Sequence, residues 1–424
     1  MPIVSPWSKV TCPYCFERFH LRKSLYRDTT PGLPTVADPM YGAFFGMNPP
    51  SLPPIRVKPK AGFLSDVLVP TPGHNDRMIC PNCHIPLPDK VSSGEARGEV
   101  IAIIGARNSG KSNFFGVLMR QLRRRYMEEL SFDLLEADTQ GPTGRLSTGD
   151  LYQKRYGQYL FSSTDPRAVP QTMNAGASRI DELDPRIPLV YMMRFRKRGL
   201  QHLTHPRMHR MPVYLMIYDA AGEDLMSGET LEQSYRFLTS ATSLVFLIDP
   251  FDFPGLRSLL PEDIRNQLPP PMPEPTQIVG RVLSLFQSPK ARNTPNALKA
   301  GRQSKIPVAF ALTKSDLFEK APGLVEPGSL IAKDSRHRGG FDARGCDALH
   351  QEIVERIRRY DSTELLQLAD SYFPNHRFFA LSALGAMPKN DGAKKLTKDI
   401  TPNRIADPLL WLLWQRGFIP ALKS

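Results

Sequence analysis

The chain has 424 residues, enough for two or three domains around a sizeable core, and its 41% hydrophobic content is that of an ordinary globular protein. A net charge of +13 raises a polyanion partner, but no basic run is interleaved with aromatics in a nucleic-acid-binding pattern, so we read a solvated basic surface. No apolar run approaches the roughly 18 residues of a membrane span, and no leader pattern is visible at Met1-Pro2-Ile3, so we expect a cytoplasmic chain with reduced cysteines.

The first elements are two cysteine knuckles, Cys12-Pro13-Tyr14-Cys15 and Cys80-Pro81-Asn82-Cys83. Each is a tight turn that aims two thiolates at one ion, and together Cys12, Cys15, Cys80 and Cys83 complete a tetrahedral four-thiolate zinc site. We therefore expect residues 1–95 to form a zinc-ribbon-like module. The stretch between the knuckles, rich in turns such as Thr30-Pro31-Gly32, reads as a long inserted loop. Cys80 to Cys83 followed by His84 also fits the haem-attachment pattern, but that chemistry needs an export signal that is not seen here. A redox dithiol would sit within a βαβ pattern, which this region lacks. The fifth cysteine, Cys346, reads as a buried, inert thiol.

A second unit, 96–424, opens with an apolar strand at 100–104 that runs into Gly105-Ala106-Arg107-Asn108-Ser109-Gly110-Lys111-Ser112 and then a helix from Asn113. This G-x-x-x-x-G-K-S in a strand–loop–helix setting is a phosphate-binding loop. Its glycines let backbone N–H groups close around phosphates, and the helix N-terminus adds a favourable dipole. Lys111 supplies a point charge, and the Ser112 hydroxyl is placed for Mg²⁺.

Farther along, strands at 189–196 and 213–218 read as a hairpin whose tip carries Arg196, Lys197, Arg198, His202, His205, Arg207, His209 and Arg210. Of the basic patches, this one best suits an acidic partner. The second strand ends at Asp219, with Gly222 and Glu223 just beyond: the acid can reach the Mg²⁺ shell and the glycine lets a backbone N–H approach a γ-phosphate. A buried strand at 242–248 ends at Asp249, which reads as a turn residue. Two more strands end at Thr313-Lys314-Ser315-Asp316 and at Ser382-Ala383, and an apolar helix at 405–416 reads as core. Strand and helix patterns alternate, giving an α/β fold: a mostly parallel sheet with helices on both faces and one antiparallel edge strand. Inserts fall at 131–188, 251–274 and 318–345.

G-x-x-x-x-G-K-S, D-x-x-G, T-K-x-D and S-A, in that order and each at a strand end, resemble the G1, G3, G4 and G5 motifs of Ras-like and translation-factor-related (TRAFAC class) P-loop GTPases. The resemblance spans about 98 to 417. It implies a GTP/GDP-binding, Mg²⁺-dependent GTPase in which Gly105, Asn108, Ser109, Gly110, Lys111, Ser112 and Asn113 hold phosphates. Asp219 and Ser112 would serve Mg²⁺. Asp316 would accept two hydrogen bonds from guanine, Lys314 would lie along the base, and the Ala383 N–H beside Ser382 would donate to guanine O6. A buried carboxylate facing adenine would stay unpaired.

The pattern is departed from in three places. Thr313 stands for the commoner Asn, removing an amide that ties this loop to the phosphate loop. Glu223 stands where relatives place Gln or His to orient water, so hydrolysis should be slow. The threonine that senses Mg²⁺ is assigned to Thr172 by its position before the hairpin. Asn108 resembles the asparagine that coordinates K⁺ in some GTPases; otherwise it only tolerates the loop's backbone angles. A ribbon joined to an insert-rich GTPase unit is similar to bacterial double-GTPase-type proteins. Other readings are a nucleotide-bound scaffold without turnover and an ATPase of another P-loop class. Protein partners would bind through the ribbon or the basic hairpin.

Overall fold

The computed structural model describes residues 9–56, 75–88, 97–161, 167–168, 187–196, 213–221, 231–271, 275–289, 291, 294, 296–299, 301–360, 363–390, 394–396 and 399–422. Its centre is a seven-stranded sheet. We number its strands β1 (Arg97–Gly105), β2 (Phe132–Glu136), β3 (Leu189–Phe195), β4 (Val213–Ala221), β5 (Ser243–Ile248), β6 (Val308–Leu312) and β7 (His376–Ala380). Their spatial order is β7-β6-β5-β1-β4-β3-β2. Five strands, β7, β6, β5, β1 and β4, are mutually parallel. Strands covered on both faces must be apolar along their whole length, and every residue of β5 and β6 is buried.

β3 runs antiparallel to β4, so the expected hairpin forms. It is not the edge, however. Within the 131–188 insert, β2 adds outside it and pairs antiparallel with it, with Phe132 and Phe195 in ring contact at 5.9 Å. The antiparallel strand therefore lies one place in from the rim.

Helices cover both faces of the sheet. They are α1 (Lys111–Gln121), α2 (Leu231–Ser240), α3 (Pro275–Gln287), α4 (Ala343–Arg359), α5 (Thr363–Tyr372) and α6 (Asp407–Gln415). In α6 Leu409, Leu410, Trp411, Leu412 and Leu413 are all buried, so its apolar density serves the core. No helix among the described residues is long and apolar enough to cross a membrane.

The segment from 329 to 342 straps the molecule together. Arg125, just past α1, reaches Asp334 at 2.7 Å and the Ser335 carbonyl at 3.0 Å. The Gly339 N–H donates to the Glu129 carbonyl. At the other end the strap receives Asn403 and Arg404 side chains on the Ile331 and Lys333 carbonyls. His337 and Asp407, both fully buried, meet beneath it at 2.9 Å. Cys346 is buried beside them.

Much of the positive charge has local partners. Arg120 stacks over the Phe161 ring at 3.9 Å, Arg123 pairs with Glu136, and Arg194 and Arg196 converge on Asp133 at 3.3 and 2.6 Å. Residues 197–210 of the basic hairpin tip lie outside the described residues.

Among the described residues, the N-terminal module carries more secondary structure than a loop-bearing ribbon. Leu25–Asp28 pairs with Ile55–Arg56 and with Asp76–Ile79, and a short helix, Pro39–Phe45, is capped by the Asp38 carboxylate. That carboxylate also receives Arg27 and stands 2.9 Å from His84 Nδ1, which binds the insert to the second knuckle. Toward the sheet unit, Phe16 packs on Phe237 at 5.4 Å and the Tyr41 hydroxyl donates to the Gly141 carbonyl at 2.9 Å.

Candidate nucleotide site and cysteine centre

The parallel strands deliver their loops to one edge of the sheet. Ala221 and Leu247 are both in register with Gly105, and Leu312 with Ile248 and Ala380. Whatever follows these residues therefore leaves the sheet side by side, at the carboxyl ends where open α/β sheets bind ligands.

At the centre, Gly105 has no room for a side chain: a Cβ would collide with Ser109 Oγ and sit 2.9 Å from the Leu247 carbonyl. Asn108 (φ 63°) and Gly110 (φ 82°) take left-handed conformations, so the loop turns twice before α1 starts at Lys111. Glycine accepts this freely and asparagine tolerates it. The positive φ gives Asn108 a backbone role in the loop, and Arg107 is exposed. Lys111 and Ser112 are buried in the first turn. Ser109 Oγ and Asn113 Oδ1 are buried with no hydrogen-bond partner. Buried polar atoms are normally satisfied, and the Ser109 hydroxyl in the loop has a proton still to donate. Below the loop a small pocket is lined by Gly105, Ala106, Ile248, Asp249, Asp252 and Pro275, among others.

Asp219 stands on β4 opposite Ile103, two residues before the partner of Gly105, at the edge the sequence predicts. Thr172, Gly222 and Glu223 lie outside the described residues.

The Thr313–Asp316 and Ser382–Ala383 loops meet on the β6–β7 side. The Thr313 N–H and hydroxyl both donate to the Ile248 carbonyl, at 2.9 and 3.2 Å. The hydroxyl that replaces an amide thus anchors the loop to β5 instead of to the phosphate loop. Lys314 has φ 56°, and its ammonium pairs with the Asp249 carboxylate. The Ser315 N–H donates to the Leu381 carbonyl at 3.1 Å. Asp316 Oδ1 accepts from the Ser382 hydroxyl at 2.6 Å, and that hydroxyl accepts from the Gly385 N–H at 2.9 Å. Burial pushes the Asp316 carboxyl up, and the Ser382 hydrogen bond works against that. Ala383, half-buried, follows directly. Ser382 is further held by a two-way backbone bridge to Asn403, at 3.0 and 2.9 Å.

Asp249 is the site residue that sequence reasoning missed. Its Oδ1 does accept from the Phe251 N–H at 3.0 Å, as a turn residue would. Its other oxygen faces Lys314. The available signal was that it ends a strand at the same edge as the other motifs.

A strand order of β7-β6-β5-β1-β4-β3-β2, with β3 antiparallel to both its neighbours, and a Gly-rich loop after the central strand decide the architecture. This is a P-loop α/β fold. No family model matches the chain. It is 27% identical over 339 residues to a Mycolicibacterium smegmatis protein named as a candidate ESX-1 scaffolding and assembly protein, SaeC, covering 79% of this chain and 78% of that one. Among solved structures it is similar to the Arl6 BBS3 small GTPase of Trypanosoma brucei with a bound nucleotide analogue, at 12% identity, 76% and 97% coverage and a TM-score of 0.27. It is also similar to the S. cerevisiae Ski7 GTPase-like domain bound to GDP and phosphate, at 13% identity, 75% and 50% coverage and a TM-score of 0.29. At such scores the likeness adds nothing to the strand order.

In the N-terminal module the four thiols come together as their spacing predicts. Cys12 and Cys83 sulfurs are 3.7 Å apart and those of Cys15 and Cys80 3.6 Å, with all four within 4.8 Å of one another. Zinc–sulfur bonds of about 2.3 Å in a tetrahedron require sulfurs about 3.8 Å apart, so the cage fits zinc. The knuckles repeat one geometry: the Cys12 and Cys80 carbonyls each accept from the N–H four residues on, at 3.2 and 3.0 Å. That fourth residue, Phe16 or His84, has φ 59° or 57°. Backbone N–H groups of Tyr14 and Asn82 donate to the first sulfur of each knuckle at 3.4 Å, as thiolate ligands require. Burial pushes the Cys12 and Cys83 thiols well up, whereas the hydrogen bond from Cys12 and those from its neighbours hold Cys15 down.

Proposed function

We propose that this chain is a guanine-nucleotide-binding protein that hydrolyses GTP slowly with Mg²⁺ and acts as a molecular switch. One observation carries the reading: the phosphate loop and the Thr313–Asp316 and Ser382–Ala383 loops stand side by side at one sheet edge, with Asp316 and Ser382 hydrogen-bonded to each other. Lys111 and the first turn of α1 would hold the phosphates, whose oxygens would accept from backbone N–H groups and from the orphaned Ser109 hydroxyl. Asp316, once ionised, would accept from guanine N1 and N2, and the Ala383 N–H would donate to O6. Ser112 and Asp219 would hold Mg²⁺, which neutralises charge on the β- and γ-phosphates. Thr172 and Gly222 would order around the γ-phosphate, and Glu223, able only to accept hydrogen bonds when ionised, makes the water step slow.

We assign residues 1–95 to a zinc-bearing adaptor and 96–424 to the GTPase unit, and Asn108 to a K⁺ site. The name of the M. smegmatis relative supports protein partners, which we place on the adaptor and the basic hairpin. Phosphate release under saturating GTP or ATP, in Na⁺ and then K⁺, tests turnover. Slow, EDTA-sensitive release from GTP, faster in K⁺, is expected; no release from GTP in either salt contradicts a hydrolytic switch.

A further inference from the structure

Position 313 poses a mechanical problem. A guanine-recognition loop must hold its carboxylate at fixed distance from the phosphate loop, and the side chain that would tie the two is a threonine already committed to the Ile248 carbonyl. The loop is nevertheless fixed, and by the end of β5. Ile248 accepts both Thr313 donors. The next residue, Asp249, faces the Lys314 ammonium with one carboxylate oxygen while the other is pinned by the Phe251 N–H. Asp249 is only 6% exposed at its side chain and Lys314 24%, so the pair is largely withdrawn from water, where charge pairing is stronger than at a surface. Through Leu247, which pairs with Gly105, β5 is itself in register with the phosphate loop.

Resting on the guanine-nucleotide reading above, we propose that Asp249 is the positioning residue of the base-recognition loop. Its carboxylate takes over the task of the missing amide: it fixes Lys314, and with it the Ser315–Asp316 backbone, relative to β5 and the phosphate loop. Lys314 has φ 56°, a conformation that L side chains seldom adopt, so a partner that holds it there has a clear use. Asp249 does not touch the base; it acts through Lys314.

The test is a double-mutant cycle on fluorescent-GDP affinity with Asp249→Asn, Lys314→Met and the double variant, each checked for melting temperature. Asp249→Asn keeps an oxygen for the Phe251 N–H and removes only the charge. It should weaken GDP and GTP binding about tenfold with an unchanged melting temperature, and in the Lys314→Met background it should change affinity less than twofold. Asp249→Glu, which restores the charge, should recover part of the loss. Wild-type affinity in Asp249→Asn, or a full additional loss in the Lys314→Met background, overturns the inference while leaving nucleotide binding intact. A wild-type chain that binds no guanine nucleotide overturns the functional reading itself.

Discussion

The Ser382 hydroxyl donates to Asp316 Oδ1 at 2.6 Å, joining two loops that lie 66 residues apart. Asp316 must be ionised to accept from guanine, and burial raises its pKa. On the proposed function, guanine-nucleotide affinity should be full well above that pKa and fall as pH drops through it, at a higher pH than for an ordinary carboxylate. Ser382→Ala removes the bond that favours the ionised form, so the midpoint of the affinity–pH curve should move upward. An unchanged midpoint in fluorescent-GDP titrations would show that Ser382 does not tune Asp316.

Beneath the strap, His337 Nδ1 accepts from the Asp342 N–H at 3.1 Å, so its Nε2 carries the proton given to Asp407. Burial pushes the Asp407 carboxyl up, but Arg404 at 2.7 Å and His337 outweigh it and hold it below the usual range. The stabilisation is present above the unfolded carboxylate pKa and is lost as pH falls through the folded one. Asp407→Ala would strand Arg404 in the interior and should cost about 3–5 kcal/mol in urea unfolding. A loss under about 1 kcal/mol, the worth of a surface pair, would contradict this account of the strap.

His350 predicts a second acid-sensitive contribution. Burial and then Arg377 push its pKa down to about 4, and its Nδ1 accepts from the Phe378 N–H at 3.1 Å. An unfolded histidine titrates near 6.5, so the unfolded state gains the proton first and stability falls from about pH 6.5 toward about 4. In His350→Gln the melting temperature should decline less over that interval; a parallel decline would assign the acid sensitivity elsewhere.

For the cysteine centre, one zinc per chain is expected by elemental analysis, and Cys83→Ser should lose it. Because Phe16 packs on Phe237 and Tyr41 bonds to Gly141, loss of the knuckles should also lower the melting temperature of the whole chain. Retention of full metal content in Cys83→Ser would contradict a four-thiolate site.

What was legible in the sequence was what is contiguous. The phosphate loop occupies eight successive residues, and the buried strands β5 and β6 announce themselves as unbroken apolar runs. The two knuckles were legible because each carries its own ligand spacing. Features that depend on a crossing were not. Asp249 was rightly seen as a turn residue, yet its second oxygen answers to Lys314, 65 residues away. β2 is a five-residue strand directly after a helix, too short for periodicity to separate it from a loop. In the N-terminal insert the strands are two to four residues long, so proline and glycine dominate the local signal.

The most direct measurement of the central claim is competition of GTP and ATP against fluorescent GDP on the wild type, Lys111→Ala and Asp316→Ala. The account predicts that GTP displaces the probe at concentrations at least about a hundredfold below ATP, a preference of about 2.7 kcal/mol. It also predicts that Lys111→Ala abolishes binding and that Asp316→Ala removes the preference. Equal competition by ATP, or wild-type binding in both variants, would contradict it.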